Sequence, residues 1–96
     1  MSNYLYPATV ESNNEGGFIA KFRDVPEAIT EAWDLEELKN NARDALISAI
    51  DFYIEDRKAF PVGSTVKSGE IAIELPASVV AKVLLLNTMV QANVRP

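Results

Sequence analysis

Five carboxylates could hold divalent metal ions for phosphodiester hydrolysis. Two-metal hydrolases need several carboxylates that converge on ions about 4 Å apart. The spacing does not force convergence here: Glu11 is out of phase with its apolar neighbours, Asp24 precedes a turn, and Asp51 lies on the polar side of a predicted helix. We therefore expect no catalytic residue, no metal and no cofactor. The five are Glu11, Asp24, Glu31, Asp51 and Glu74.

The composition removes most other catalytic chemistry. The chain of 96 residues contains neither histidine nor cysteine, which excludes Ser-His and Cys-His nucleophiles, disulfides and thiolate metal sites. Gly16-Gly17 leads into a strand pattern and lacks the lysine and hydroxyl residue of a phosphate-binding loop. A hairpin turn is the better interpretation, and the sequence predicts a protein that is not an enzyme.

The net charge points to the class of partner. A formal charge of −5 opposes nucleic-acid phosphates and suits a basic protein partner, although the same charge is common in proteins that are merely soluble. The longest apolar stretch, residues 79–86, is interrupted by Lys82 and is much shorter than the ~20 residues of a membrane span. We expect a cytoplasmic location and no membrane partner.

The first 33 residues predict a three-stranded meander. Apolar residues alternate with other residues over 4–11 and over 18–23, which is the period of a half-buried strand. Residues 12–17 contain two asparagines and two glycines, as hairpin connections do, and 28–33 are long enough for a third strand. Pro7 has no N–H, so we expect it where the ladder needs no donor.

A long amphipathic helix is predicted next. Asp34 is a suitable N-cap residue, and Glu37 three residues later completes the pattern of a capping box. Apolar residues then recur at spacings of three and four from Leu35 to Phe52, and charged residues lie mostly on the opposite face. Leu46, Ile50 and Tyr53 widen this apolar stripe. We expect this helix to end between residues 56 and 59.

The C-terminal part predicts a fourth strand and a second helix. Ile71, Ile73 and Leu75 alternate with small or acidic residues, which predicts a strand whose solvent face is acidic at Glu70 and Glu74. Pro76 suits the first turn of a helix over about 77–91. The fold class is therefore α+β, with the order β-β-β-α-β followed by a terminal helix.

The terminal helix is apolar around most of its circumference. Such a helix must be buried on more than one side, which a small sheet already covered by another helix does not readily provide. We therefore expect either a homo-oligomer formed through this helix or a further domain that covers it. The oligomerisation candidates are Val83, Leu85, Leu86, Met89 and Val90.

Four short motifs stand in a fixed order in the first half of the chain. They are Tyr6-Pro7-Ala8, Glu15-Gly16-Gly17-Phe18, Phe22-Arg23-Asp24-Val25-Pro26 and Asn41-Ala42-Arg43-Asp44-Ala45-Leu46. This order resembles the N-terminal domain of HicB antitoxins, strongly over residues 4–56 and more weakly over 71–87. The resemblance implies a partial ribonuclease H-like fold and the function of an antitoxin.

The resemblance also implies how the chain is divided. Residues 1–75 correspond to the toxin-binding domain, and 76–96 to a terminal helix that, in similar proteins, opens a helix-turn-helix DNA-binding module. DNA is therefore an expected partner only of a longer form. This sequence departs from the family pattern at Arg23, where proline is common, and at Ala32-Trp33, which replaces Gly-Asp or Gly-Glu. The second departure makes Trp33 a bulky residue that could serve an interface.

The partner that the resemblance implies is a HicA-type toxin, a small basic RNA-cleaving protein that the antitoxin binds and neutralises. Acidic side chains would steer the association, and apolar anchors would set the affinity. A rival hypothesis is a self-assembling structural domain or an orphan ligand-binding module without a toxin. A small basic reading frame beside the gene would favour the antitoxin. The toxin-binding candidates are four acidic residues expected to cluster at turns: Glu11, Glu15, Asp24 and Glu27.

Overall fold

The computed structural model describes residues 4–94 as one antiparallel sheet with two helices. The sheet order is β3-β2-β1-β4, so that β1 and β2 are central and the other two strands are edges. The predicted α+β class and element order are confirmed. The outer limits of the two predicted domains, residues 1 and 96, lie outside the described residues. The elements are β1 (Leu5–Ser12), β2 (Phe18–Phe22), β3 (Ile29–Ala32), α1 (Leu35–Asp56), β4 (Glu70–Glu74) and α2 (Ala77–Val94).

One core lies between the sheet and α1. Tyr6 on β1 and Phe22 on β2 are fully or almost fully buried, as are Leu38, Leu46 and Ile50 on α1. Full burial of a large apolar side chain stabilises a fold by about 1.5–3 kcal/mol. These long-range contacts attach α1 to the sheet, and they stabilise the helix far more than its intrinsic helix propensity does.

Pro7 occupies a central strand without interrupting it. The N–H of Leu75 donates to the carbonyl of Tyr4 at 3.1 Å, so the even-numbered residues of β1 direct their backbone groups toward β4. Pro7 consequently directs its nitrogen toward β2. The pairing of β1 with β2 begins at Ala8, so β2 offers no partner at Pro7. The prediction that Pro7 lies where no donor is needed is confirmed.

The segment between α1 and β4 passes close to the start of β1. A Cβ atom added to Gly63 would lie 1.9 Å from the carbonyl oxygen of Leu5, so only glycine fits at this approach. The hydroxyl of Tyr6 donates to the carbonyl of Pro61 at 2.6 Å. Burial raises the pKa of Tyr6, in keeping with a hydroxyl that stays protonated as a donor.

The N-terminus of α1 is capped largely as predicted. The carboxylate of Asp34 accepts the N–H of Glu37 at 2.8 Å, while Glu37 accepts the N–H of Trp33 at 3.2 Å, one residue earlier than in a standard capping box. The helix ends at Arg57 in the left-handed conformation. The predicted apolar stripe was too wide: Leu35 and Phe52 are exposed by 50% and 60%, because the sheet contacts only one side of α1.

Glu70 on β4 is tied to the second turn of the meander. Its carboxylate accepts bonds from the Arg23 guanidinium at 2.9 and 3.2 Å and from the N–H of Lys67 at 2.8 Å. The prediction of a solvent-facing acidic row on β4 is therefore wrong at Glu70, whose side chain is only 8% exposed. Glu74 is exposed as predicted.

Stability should fall in acid as Glu70 is protonated. The hydrogen bonds from Arg23 and then from the Lys67 N–H lower the pKa of Glu70 from 4.5 to about 2. The pKa of Glu70 is lower in the folded chain than in the unfolded chain. The ionised carboxylate therefore adds to the free energy of unfolding above pH 4.5, and this contribution is lost as the pH falls toward 2. Urea unfolding of the unmodified chain and of Glu70→Gln should differ at neutral pH and converge in acid. A difference that is constant over this range would contradict the assignment.

The second helix lies beside α1. Val83 and Leu86 are buried, and Asn87 fixes the helix by accepting the N–H of Phe60 at 2.8 Å and donating to its carbonyl at 3.0 Å. Leu85 is exposed by 62%. Within residues 4–94, neither helix combines the length and the apolar character needed to cross a membrane.

Candidate partner interface

The four acidic candidates lie at two opposite ends of the sheet. Glu11 and Glu15 belong to the end where β1 turns into β2, whereas Asp24 and Glu27 lie in the turn between β2 and β3. Successive turns of a meander occupy opposite ends because each strand reverses the chain direction. The expectation that these residues cluster together is therefore wrong.

Asp24 and Glu27 are engaged within the fold. Asp24 accepts the N–H and the hydroxyl of Ser64 at 2.8 and 2.6 Å, which fastens the segment before β4 to this turn. Glu27 accepts the hydroxyl of Tyr53 at 2.9 Å. Burial and this hydrogen bond raise the pKa of Tyr53 to about 12. Both carboxylates therefore have structural roles that any partner contact would have to preserve.

The hairpin end presents its acidic residues differently. The side chain of Asn13 accepts the N–H groups of Glu15 and Gly17, both at 2.8 Å, and Gly16 takes the positive φ of 93° that the turn requires. Glu15 is exposed on this fixed turn. Glu11 is also exposed, at 3.6 Å from Lys21.

A pocket of about 190 Å³ lies beside the hairpin end, and we call it the Trp33 pocket. Trp33 is exposed by 66% and forms one wall. Its ring lies over Gly17, where an added Cβ would come within 3.3 Å of the ring and 2.7 Å of the Ala32 carbonyl oxygen. The pocket thus joins the first turn of the meander to the start of α1. It is lined by Asn13, Glu15, Glu31, Ala32, Trp33 and Glu37.

The carboxylates of the Trp33 pocket lack a cationic partner within residues 4–94. The three ion pairs of this part of the chain join Lys21 to Glu11, Arg23 to Glu70 and Lys82 to Asp51, and none includes a pocket residue. Glu31 accepts a long hydrogen bond of 3.4 Å from Asn13, and Glu37 holds the backbone of Trp33. Negative charge is therefore concentrated around an exposed indole.

The edge strand β3 is shielded where it meets the pocket. The carbonyl of Glu31 accepts the side-chain N–H of Asn41 at 3.1 Å, and the N–H of Trp33 donates to Glu37. Two backbone groups near the end of this edge are therefore satisfied by side chains of α1. Such blocking disfavours the addition of a partner strand, so the pocket is better suited to receive a side chain.

Sequence reasoning found the parts of this pocket but not their proximity. Trp33 departs from the family pattern, Glu31 is one of the five carboxylates and Glu37 belongs to the predicted capping box. Their meeting depends on the register in which Phe18 pairs with Ala32. The five carboxylates do not converge as a metal site would require, and residues 4–94 contain no group of three or more metal-binding side chains.

Comparison with known proteins identifies the family. A family model for HicB-like antitoxins of bacterial toxin–antitoxin systems matches residues 5–84, which include all four strands and α1. The chain belongs to the HicB-like antitoxin family. The resemblance read from the sequence is confirmed, and antitoxins are a non-enzymatic class.

Several antitoxins share this HicB-like sequence over most of its length. The chain is 43% identical to Antitoxin HicB of Escherichia coli strain K12 over 93% of this chain and 64% of that protein. It is 49% identical to Antitoxin HicB 2 of Photorhabdus laumondii over 95% of this chain and 63% of that protein. The chain thus spans somewhat less than two thirds of the length of these relatives.

A second exposed surface of this HicB-like chain is the groove between the end of α1 and α2. Its volume is about 540 Å³, and its walls include Ile54, Leu85 and Met89. Among the five oligomerisation candidates, Val83 and Leu86 belong to the core of the chain itself, and Val90 is partly buried. Leu85 and Met89 are exposed by 62% and 55% and remain available to a partner.

Proposed function

We propose that this HicB-like chain binds and neutralises a small basic RNA-cleaving toxin of the HicA type in the cytoplasm. The observation that carries the proposal is the family match over residues 5–84. The net charge of −5 supports the proposal, because a toxin that binds RNA must present basic groups. Exposed carboxylates compete for those groups, and a bound antitoxin excludes RNA from them.

Neutralisation through opposite charges has a kinetic signature. Complementary charges accelerate association at low salt, and at physiological ionic strength they are screened beyond about 8 Å. Of the four acidic candidates, Glu11 and Glu15 are exposed at the hairpin end, while Asp24 and Glu27 also hold the fold together. We therefore propose the hairpin end as the part of the surface that first meets the toxin.

Binding should be tested with the complete chain and the toxin encoded by a small basic reading frame beside its gene. We expect an excess of the chain to stop RNA cleavage by the toxin, and surface plasmon resonance to show an on-rate that falls as salt rises. Glu11→Gln with Glu15→Gln should lower the on-rate at low salt, whereas Ser48→Gln, a neutral exchange on α1, should not. Undiminished cleavage with the antitoxin in excess would refute the proposal.

The proposed division of the chain concerns residues 1–75 and 76–96. We propose that the first part carries the toxin-binding surface, because all four strands and α1 lie within it. Val83 and Leu86 are buried and Asn87 holds Phe60, so removal of α2 would open the core. DNA binding and autoregulation are proposed only for a longer form in which a helix-turn-helix follows residue 96.

We also propose that the exposed side of α2 packs against a second copy of the chain. Three large apolar residues of this helix, Leu84, Leu85 and Met89, are exposed by 51%, 62% and 55%. Between Ala77 and Val94 the helix carries a single charged residue, Lys82. An acidic protein meets little like-charge repulsion when it pairs through such a segment, which favours self-association over capture of a charged partner.

A further inference from the structure

We propose that the Trp33 pocket is the anchor point for one cationic side chain of the toxin, an arginine or a lysine. This inference rests on the proposed function and specifies where and how the basic partner is held. Its starting point is the combination of an exposed indole with carboxylates that have no cationic partner among residues 4–94.

The indole is presented in a fixed position. Trp33 is exposed by 66%, its backbone N–H donates to Glu37 and its ring lies against Gly17. A tryptophan face attracts a cation within about 6 Å of the ring, more strongly than the other aromatic rings do. Because the backbone of Trp33 is held and its ring already lies against Gly17, a partner side chain that stacks on the ring restricts it less than it would restrict a free indole.

The carboxylates supply the second half of the recognition. Glu15, Glu31 and Glu37 line the same pocket as the indole. A guanidinium can donate several hydrogen bonds to carboxylates while its plane stacks on an aromatic ring, and an ammonium can fill the same space as a point charge. The pocket can therefore bind a cation both by stacking against the indole and by contact with the carboxylates.

The size of the pocket argues for a side chain over a small molecule or a strand. Its volume of about 190 Å³ is below the roughly 300–1,000 Å³ of typical ligand pockets. The adjacent backbone groups of Glu31 and Trp33 are already bonded to Asn41 and Glu37, which leaves little of this edge for a partner strand. A single long basic side chain fits the small volume and needs no free backbone groups of this edge.

The experiment compares Trp33→Ala with Phe52→Ala in the complete chain, by surface plasmon resonance against the toxin. Phe52 is a matched control because it is another exposed aromatic residue, at 60%, on the outer side of α1. Truncation of an interface anchor typically weakens binding by about 30-fold or more. We expect that loss for Trp33→Ala, mainly as faster dissociation, and an unchanged affinity for Phe52→Ala. Circular dichroism and thermal unfolding should show that both variants are folded.

Two further measurements identify the partner group. Trp33 is the only tryptophan in the chain, so its emission should change when a tryptophan-free form of the toxin binds, and less so in Glu15→Gln with Glu31→Gln. A double-mutant cycle between Trp33→Ala and alanine variants of the basic residues of the toxin should give a coupling for one of them.

The outcomes separate this inference from the proposed function. If the unmodified chain does not bind the toxin, both the proposed function and this inference are wrong. If the unmodified chain binds while Trp33→Ala binds equally well, the antitoxin function stands and the anchor is elsewhere. Equal losses from Trp33→Ala and Phe52→Ala would also overturn the anchor, because the effect would not be specific to the pocket.

Discussion

Gly63→Ala should lower the free energy of unfolding by about 3 kcal/mol, at the upper end of the range for an overpacked site. An added methyl group would lie 1.9 Å from the carbonyl oxygen of Leu5 and 2.8 Å from its carbonyl carbon. Both are backbone atoms of a central strand and cannot move aside alone. The segment between α1 and β4 would have to lift, which strains the bonds that Tyr6 makes to Pro61 and Asp24 makes to Ser64.

Urea unfolding followed by circular dichroism would measure this loss. Val62→Ala is the matched control, because Val62 precedes Gly63 and is exposed by 56%. A surface change of this kind usually alters stability by no more than about 0.5 kcal/mol. If Gly63→Ala were as mild as Val62→Ala, the close approach of this segment to β1 would be wrong.

The elements that could be predicted are those determined by neighbouring residues. The cap of α1 depends on Asp34 and Glu37, three residues apart, and the strands of the meander depend on alternation within each segment. Leu35 and Phe52 show the limit of this reasoning. Periodicity places both in the apolar stripe, but tertiary packing determines how much of the helix surface the sheet covers.

The positions of the acidic candidates could have been predicted better from the sequence. Residues 4–33 predict a meander, and its consecutive turns must lie at opposite ends of the sheet, which separates Glu15 from Glu27. The Trp33 pocket is a different case. It forms because the pairing of Phe18 with Ala32 brings Glu15 to Trp33, and alternation alone does not determine such a register.

The close approach at Gly63 could not be predicted from its neighbours either. The residue is one of four glycines in the chain and stands in a segment with no periodic pattern. Its importance comes from Leu5, more than fifty residues earlier in the sequence, and from the way Asp24 binds Ser64. Contacts over such sequence distances are specified by the whole fold.

The helix α2 leads to the other large effect that we expect. The unmodified chain should be a dimer or a higher oligomer at high micromolar concentration, and Leu85→Glu with Met89→Glu should make it monomeric or cause it to precipitate. Burying the exposed part of each of these side chains contributes about 1–2 kcal/mol per copy, and two glutamates per chain replace that gain with desolvated charge. Sedimentation velocity would follow the change.

The control for this experiment must separate added charge from lost apolar surface. Asn40→Glu with Ser48→Glu adds the same two charges at exposed positions of α1 and should leave the oligomer intact. The core residues Val83 and Leu86 are untouched in both variants, so α2 should stay folded onto Phe60 and thermal unfolding of the monomer should remain cooperative. A stable monomer of the unmodified chain at high micromolar concentration would show that the exposed side of α2 needs no second copy to cover it.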